Sequence, residues 1–152
     1  MTDHRFVPDD FVVPSGLTGR GFRLEPLGPE HNAADHAAWT SSIGHIRGTA
    51  GFEQRGWPPA AGMSLAENLR DLERHAGDFA RRAGFTYTVL DDDGTVVGCL
   101  YIYPSHADPQ VTEVRSWVCA DRAELDEPLF EAVKRWLASD WPFRDVRYRP
   151  VA

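Results

Sequence analysis

At 152 residues, with 42% hydrophobic, 11% aromatic and 26% charged residues, the chain has the size and make-up of one domain with its own core. A net charge of −7, with no basic run longer than a pair, excludes a sequence-independent nucleic-acid binder and argues against an anionic membrane surface. MTDHRFVPDDF lacks the basic and apolar regions of a leader, no apolar stretch approaches spanning length, and Cys99 and Cys119 make no disulfide framework, so the expectation is a cytoplasmic protein with reduced, buried thiols.

Residues 1–20 carry FVP, FVVP and SGLTGRG. Prolines exclude a helix interior and glycines mark turns, which predicts an extended surface arm ahead of one domain at 21–152. Phe6, Phe11, Val12 and Val13 of the arm need cover. GFRLEPLG predicts a first strand with Phe22, Leu24 and Leu27 inward. Pro29, preset for a first turn, opens a helix through HNAADHAAWTSSIG. Residues 44–62, rich in Gly and Pro, predict a long loop holding Phe52 and Trp57. Ser64-Leu65-Ala66-Glu67 is a capping box, and Leu65, Leu69, Leu72, Ala76 and Phe79 form one apolar stripe of a helix that Gly84 should stop.

FTYTVL, DDDG and TVVGCLYIYP predict a hairpin around an Asp-Gly turn. Its second strand is apolar on both faces, with Val96, Leu100 and Ile102 on one and Val97, Cys99 and Tyr101 on the other, and should be central. SHADPQ turns into VTEVRSWV; pairing Pro104 with Val111 would set Cys99 against Ser116. Glu113, Arg115 and Trp117 share one face there, and Val114, Ser116 and Val118 the other. A polar loop leads to a helix with Leu125, Leu129, Val133, Trp136 and Leu137 on one face, for which Asp126 is the simplest N-cap. DVRYRP is the final strand. The order predicts an α+β sandwich: a mixed, mostly antiparallel sheet with helices on both faces.

That order, with VVGCLYIYP followed by EVRSWV, resembles the GNAT superfamily of acetyl-CoA-dependent N-acetyltransferases over residues 21 to 149, nearest to the branch acting on protein or ribosomal N-termini. The resemblance implies acetyl-CoA held where the fourth and fifth strands splay, along Trp117, Val118 and Cys119, with the Val118 and Cys119 amides facing the thioester carbonyl. It also implies a pyrophosphate cradle at Ala123, Glu124, Leu125 and Asp126, at the start of the last helix. Here the chain departs from the family's Gln/Arg-x-x-Gly-x-Gly/Ala pattern. Ala123 replaces the Gln/Arg, Glu124 and Asp126 replace the glycines, and Glu127 follows, which sets carboxylates beside the expected phosphates. Only Pro150, Val151 and Ala152 follow the last strand, where the family continues with a helix that often supplies a tyrosine acid. The expected edge strand is blunted by Arg147, Arg149 and Pro150, or covered by the arm or by a second copy in a homodimer.

For the chemistry, Glu113 matches a glutamate that serves as base in some family members, and reads more simply as a strand-edge carboxylate paired with Arg115 or another cation. Tyr101 and Tyr103 either line the same cleft or pack the sheet, while Phe52, Trp57 and Arg115 are the candidate acceptor wall. Ser105, His106 and Asp108 lie too close together for a nucleophilic triad. The six histidines show no zinc spacing with either cysteine and DDDG lacks a calcium loop's alternation, so no metal is expected. Two functions follow: an N-acetyltransferase acting on a small-molecule or protein amine, or a catalytically inactive fold serving as a ligand-binding or dimeric interaction module.

Overall fold

The computed structural model describes residues 5–149. Six strands form one sheet in chain order: β1 (Leu17–Gly19), β2 (Phe22–Pro26), β3 (Phe85–Asp91), β4 (Val96–Pro104), β5 (Val111–Val118) and β6 (Asp145–Tyr148). Every neighbouring pair is antiparallel except β5 and β6, which run parallel. A parallel pair needs a crossover, and α4 (Asp126–Asp140) supplies it. On the opposite face lie α1 (Asn32–Thr40), the short α2 (Ile43–Arg47) and α3 (Leu65–Ala80). The expected α+β class, with a mixed sheet between helices, is the one observed.

The sheet separates two cores. Leu24, Tyr87, Leu100 and Val114 meet Leu129, Val133 and Trp136 of α4 on one side. Leu27, Cys99 and Trp117 meet Trp39, Ile46 and Leu72 on the other. Leu129 is fully buried, and burial of a leucine contributes about 2–3 kcal/mol.

The predicted arm ends earlier than residue 20, because Leu17–Gly19 pairs with β2 as strand β1. Ahead of it, Phe6 stacks on Phe85 and Phe143, Phe11 rests on Trp141, and the Tyr87 hydroxyl donates to the Pro14 carbonyl at 2.6 Å, while Val12 stays exposed. Residues 1–4 of the arm, and Pro150, Val151 and Ala152 after β6, lie outside the described residues.

The first predicted helix is broken. A 3-10 turn spans Pro29–His31, and α1 stops at Thr40, whose hydroxyl donates back to the His36 carbonyl at 2.6 Å. Such back-bonding competes with continuation of the helix. The chain restarts as α2 inside the predicted loop and folds over Phe52, which is buried. The capping box of α3 is present in both directions, Glu67 N to Ser64 Oγ at 3.1 Å and Ser64 N to Glu67 Oε1 at 2.9 Å. Leu65, expected inward, is exposed. The helix stops before Gly84. Arg82 takes the left-handed conformation (φ 62°), and the Ala83 amide closes onto the Asp78 carbonyl at 2.8 Å. Arg82 fills a place that favours glycine because its guanidinium ties down the arm, donating to the carbonyls of Pro8 (2.6 Å) and Phe11 (2.8 Å).

Two register details differ from expectation. Val89 pairs with Gly98 but Leu90 with Val96, so β4 carries an extra residue. The bulge moves Val97 to the α4 side with Leu100, and Val96 to the other side with Cys99. Across the next turn Pro104 faces Thr112, so Cys99 lies opposite Trp117 rather than Ser116. Both cysteines are free and buried.

Candidate functional site

The β5–β6 ladder has its last pair at Val114 and Tyr148, yet β5 runs on to Val118. Antiparallel strands direct alternate residues to alternate neighbours. Ser105 N donates to Val111 O, and Cys119 N donates to Val97 O, each at 2.8 Å, so the odd-numbered residues of β5 bond toward β4. The N–H groups of Ser116 and Val118 therefore point to the side where β6 has stopped. This corrects part of the expectation: the Val118 amide faces the gap, whereas those of Trp117 and Cys119 belong to the β4 ladder. On the α4 face the gap is bridged by a 2.5 Å bond between the hydroxyls of Ser116 and Tyr148.

The predicted polar loop after β5 is a 3-10 turn, Ala120–Leu125. Asp126 is not the N-cap of α4. Leu125 holds that position with no side-chain capping bond, its own side chain buried in the core, and Asp126 is the first helical residue. The Asp126 carboxylate instead takes a two-pronged bond from Arg149 just past β6, at 2.7 and 2.5 Å. Arg149 lies over the Phe130 ring, and its Nε is buried with no partner. Glu124 accepts from Arg122 Nε at 3.1 Å, and Arg122 reaches Asp91 at 2.7 Å. Each bond raises the pKa of its arginine, Asp126 acting on Arg149 and Asp91 and then Glu124 on Arg122. Two of the carboxylates expected beside the phosphates are thus engaged by arginines, while Ala123 and Glu127 are exposed.

On the opposite face a cavity of ≈ 580 Å³ opens between α1, α3, the loop after α2 and the outer side of β4 and β5. It gathers Phe52, Trp57, Tyr101, Tyr103, Glu113 and Arg115, which stand far apart in the chain. Glu113 is ion-paired to Arg55 at 3.3 Å and lies 3.8 Å from Arg115. Arg115 sits over the Phe52 ring with its Nε buried and unpartnered. Burial, then the charge of Arg55, lowers the pKa of its guanidinium. The Tyr101 hydroxyl accepts from Trp117 Nε1 at 3.1 Å, and burial pushes its pKa well up.

Two residues that sequence reasoning missed complete the cavity. His75 Nδ1 lies 2.8 Å from the Tyr103 hydroxyl and 3.1 Å from Thr86 Oγ1. Tyr103 donates its only proton to Asp78 at 2.9 Å, and Asp78 is paired with Arg81, so the tyrosine oxygen can only accept from the imidazole. Burial, then Arg74, pushes the His75 pKa down to about 4, so the ring is neutral near pH 7. Its one proton is on Nδ1, leaving Nε2 as the bare acceptor of a cavity-lining ring. The second residue is Asp35 on α1. Its carboxylate accepts from Asn68 Nδ2 at 3.1 Å, and Asn68 is itself fixed by Trp39 Nε1 at 3.0 Å. Burial raises the Asp35 pKa to about 6 against the pull of that bond. The sequence did carry signals for both, since Asp35 lies four residues before buried Trp39 and His75 three after buried Leu72.

No protein-family profile and no curated protein sequence matches the chain. Its fold does match solved N-acetyltransferases. MccE, a microcin C7 self-immunity acetyltransferase solved with acetyl-CoA and AMP, superposes with a TM-score of 0.63 at 14% identity, over 86% of this chain and 68% of its own. RimL, a ribosomal L7/L12 α-N-protein acetyltransferase, gives 0.66 at 14% identity over 90% and 75%. A GCN5-related N-acetyltransferase from Brucella melitensis gives 0.63 at 21% identity over 93% and 62%. The fold is that of the GNAT N-acetyltransferases.

Proposed function

We propose that the chain is an N-acetyltransferase that draws its acetyl group from acetyl-CoA beside β5 and its amine from the cavity under α1 and α3. One observation carries the reading: β5 outruns β6, turning the Ser116 and Val118 amides toward an open strand edge. An extended amide-bearing chain such as pantetheine pairs with an edge of that kind. The far end fits as well. There Arg149, held by Asp126 at the start of α4, supplies a cation for the phosphates. Ser116, Val118 and Arg149 would hold the cosubstrate. Acetyl-CoA supplies a thioester whose acyl carbon passes from sulfur to the amine nitrogen, with the nitrogen's protons shared between a base and the departing thiolate.

Asp35 is the base in this reading. With a pKa of about 6 it is ionised near pH 7 and still able to take a proton, the balance that general-base work requires. Its charge attracts the ammonium form of the acceptor. His75 Nε2 offers that nitrogen a second acceptor, and Phe52, Trp57 and Tyr101 exclude water around it. Glu113 balances the charge of Arg55 and Arg115, and Tyr103 fixes the His75 tautomer. The acceptor is a small-molecule or protein amine. The reading is tested by free-thiol release from acetyl-CoA with and without amines, beside a thermal-stability titration. Amine-dependent release is expected. No release with any amine, together with no stabilisation at millimolar acetyl-CoA, would contradict it.

A further inference from the structure

We infer that the acceptor carries a carboxylate as well as its amine, and that Arg115 holds the carboxylate. The inference rests on the cavity being the amine site and goes on to name the chemical class that fits it. Arg55 and Arg115 share a single carboxylate, Glu113, at 3.3 and 3.8 Å. Two guanidinium groups against one carboxylate leave the β5 wall with a surplus positive charge. Arg115 lines the cavity, and its Nε is buried with no protein partner, a cost of about 1–3 kcal/mol that leaves the guanidinium without full compensation.

The arginine is held in place from both sides. Its guanidinium rests on Phe52, and Gly51 (φ +95°) backs onto its stem so closely that a Cβ there would come within 3.0 Å of Arg115 Cγ. Across the cavity the polarity reverses. Asp35 stands on the α1 wall, and the Arg74 charge is met by Asp71 at 3.7 Å. A plain amine, or the N-terminus of a protein, satisfies only the α1 wall. A zwitterion satisfies both, with its apolar part against Trp57 and Leu72.

The test compares amines that differ only in the anion: phenylalanine and 6-aminohexanoate, each against its carboxamide. Binding is read from the thermal stability of the protein without acetyl-CoA, and transfer from thiol release with it. A charge-assisted hydrogen bond of about 1.5–3 kcal/mol corresponds to about 10- to 100-fold, so one of the free acids should half-saturate at least tenfold below its carboxamide. Arg115→Gln should erase that preference, weakening the free acid at least tenfold more than its carboxamide. Should Arg115→Gln fail to fold, Arg55→Gln should reduce the preference several-fold. Equal binding of acid and amide in the unaltered protein, or better binding of peptide N-termini than of either acid, overturns the inference. Acid-selective stabilisation without thiol release keeps the inference and removes the transferase reading, so the two fail separately.

Discussion

The two sides of β5 present sites made of different materials. Toward β6 the proposed site is mostly backbone: two amides of a strand that has lost its neighbour, with Arg149 beyond them. Under α1 and α3 it is side chains, drawn from α1, α3, β4, β5 and the loop between them. A backbone site depends on register and tolerates most substitutions that keep the strand. A side-chain site depends on individual groups whose charge is set by burial. Mutation should therefore cut rate on the cavity side and affinity on the gap side.

The largest effect is expected at Asp35. Asp35→Asn should lower kcat/KM by about 10²–10⁴-fold, the usual contribution of a general base. In the unaltered protein, kcat/KM should fall as pH drops through about 6, and the variant should lose that acid limb. Its stability should move the other way. A carboxyl whose folded pKa is raised binds its proton more tightly in the native state, so stability falls as pH rises from 3.8 to about 6. Removing the charge should recover up to roughly 3 kcal/mol at pH 8 and almost nothing at pH 4, as read from denaturant midpoints. A variant equally active, or less stable at pH 8, would show that Asp35 is not a strained catalytic carboxylate.

On the gap side the changes are smaller and appear in the cosubstrate's Kd. Arg149→Met should weaken acetyl-CoA binding about tenfold, because it removes a cation and leaves Asp126 facing the phosphates. Asp126→Asn should tighten it a few-fold by freeing Arg149. If the two variants shift Kd in the same direction, Arg149 is structural only. Glu113→Gln should change kcat less than threefold, since its carboxylate already serves two arginines. Loss of more than a hundredfold there would return the base role to Glu113. The control is Ser64→Ala. It should cost about 1 kcal/mol through the lost cap and leave turnover untouched.

The same division explains what was legible in the chain. Strands β2 to β6, the capping box and the face of β5 that carries Glu113, Arg115 and Trp117 were legible locally, whereas β1 was hidden in the predicted arm. The roles of Asp35 and His75 were not legible, although their spacing from Trp39 and Leu72 sets both on inward helix faces, because each matters through partners far away in the chain: Asn68 for one, Tyr103 and Thr86 for the other. Asp126 looked like a cap or a bare charge for a related reason, since nothing near it in sequence announces Arg149, 23 residues on. The β4 bulge shows the opposite failure. One extra residue moved Val96 and Val97 to opposite sides from those expected, although the alternation itself was read correctly.

Amide hydrogen exchange along β5, with and without acetyl-CoA at about a hundred times its Kd, tests the central claim most directly. The Ser116 and Val118 amides should slow strongly when acetyl-CoA is added, while Trp117 and Cys119, already bonded toward β4, should not change. Unaltered exchange at Ser116 and Val118 under saturating acetyl-CoA would contradict the account.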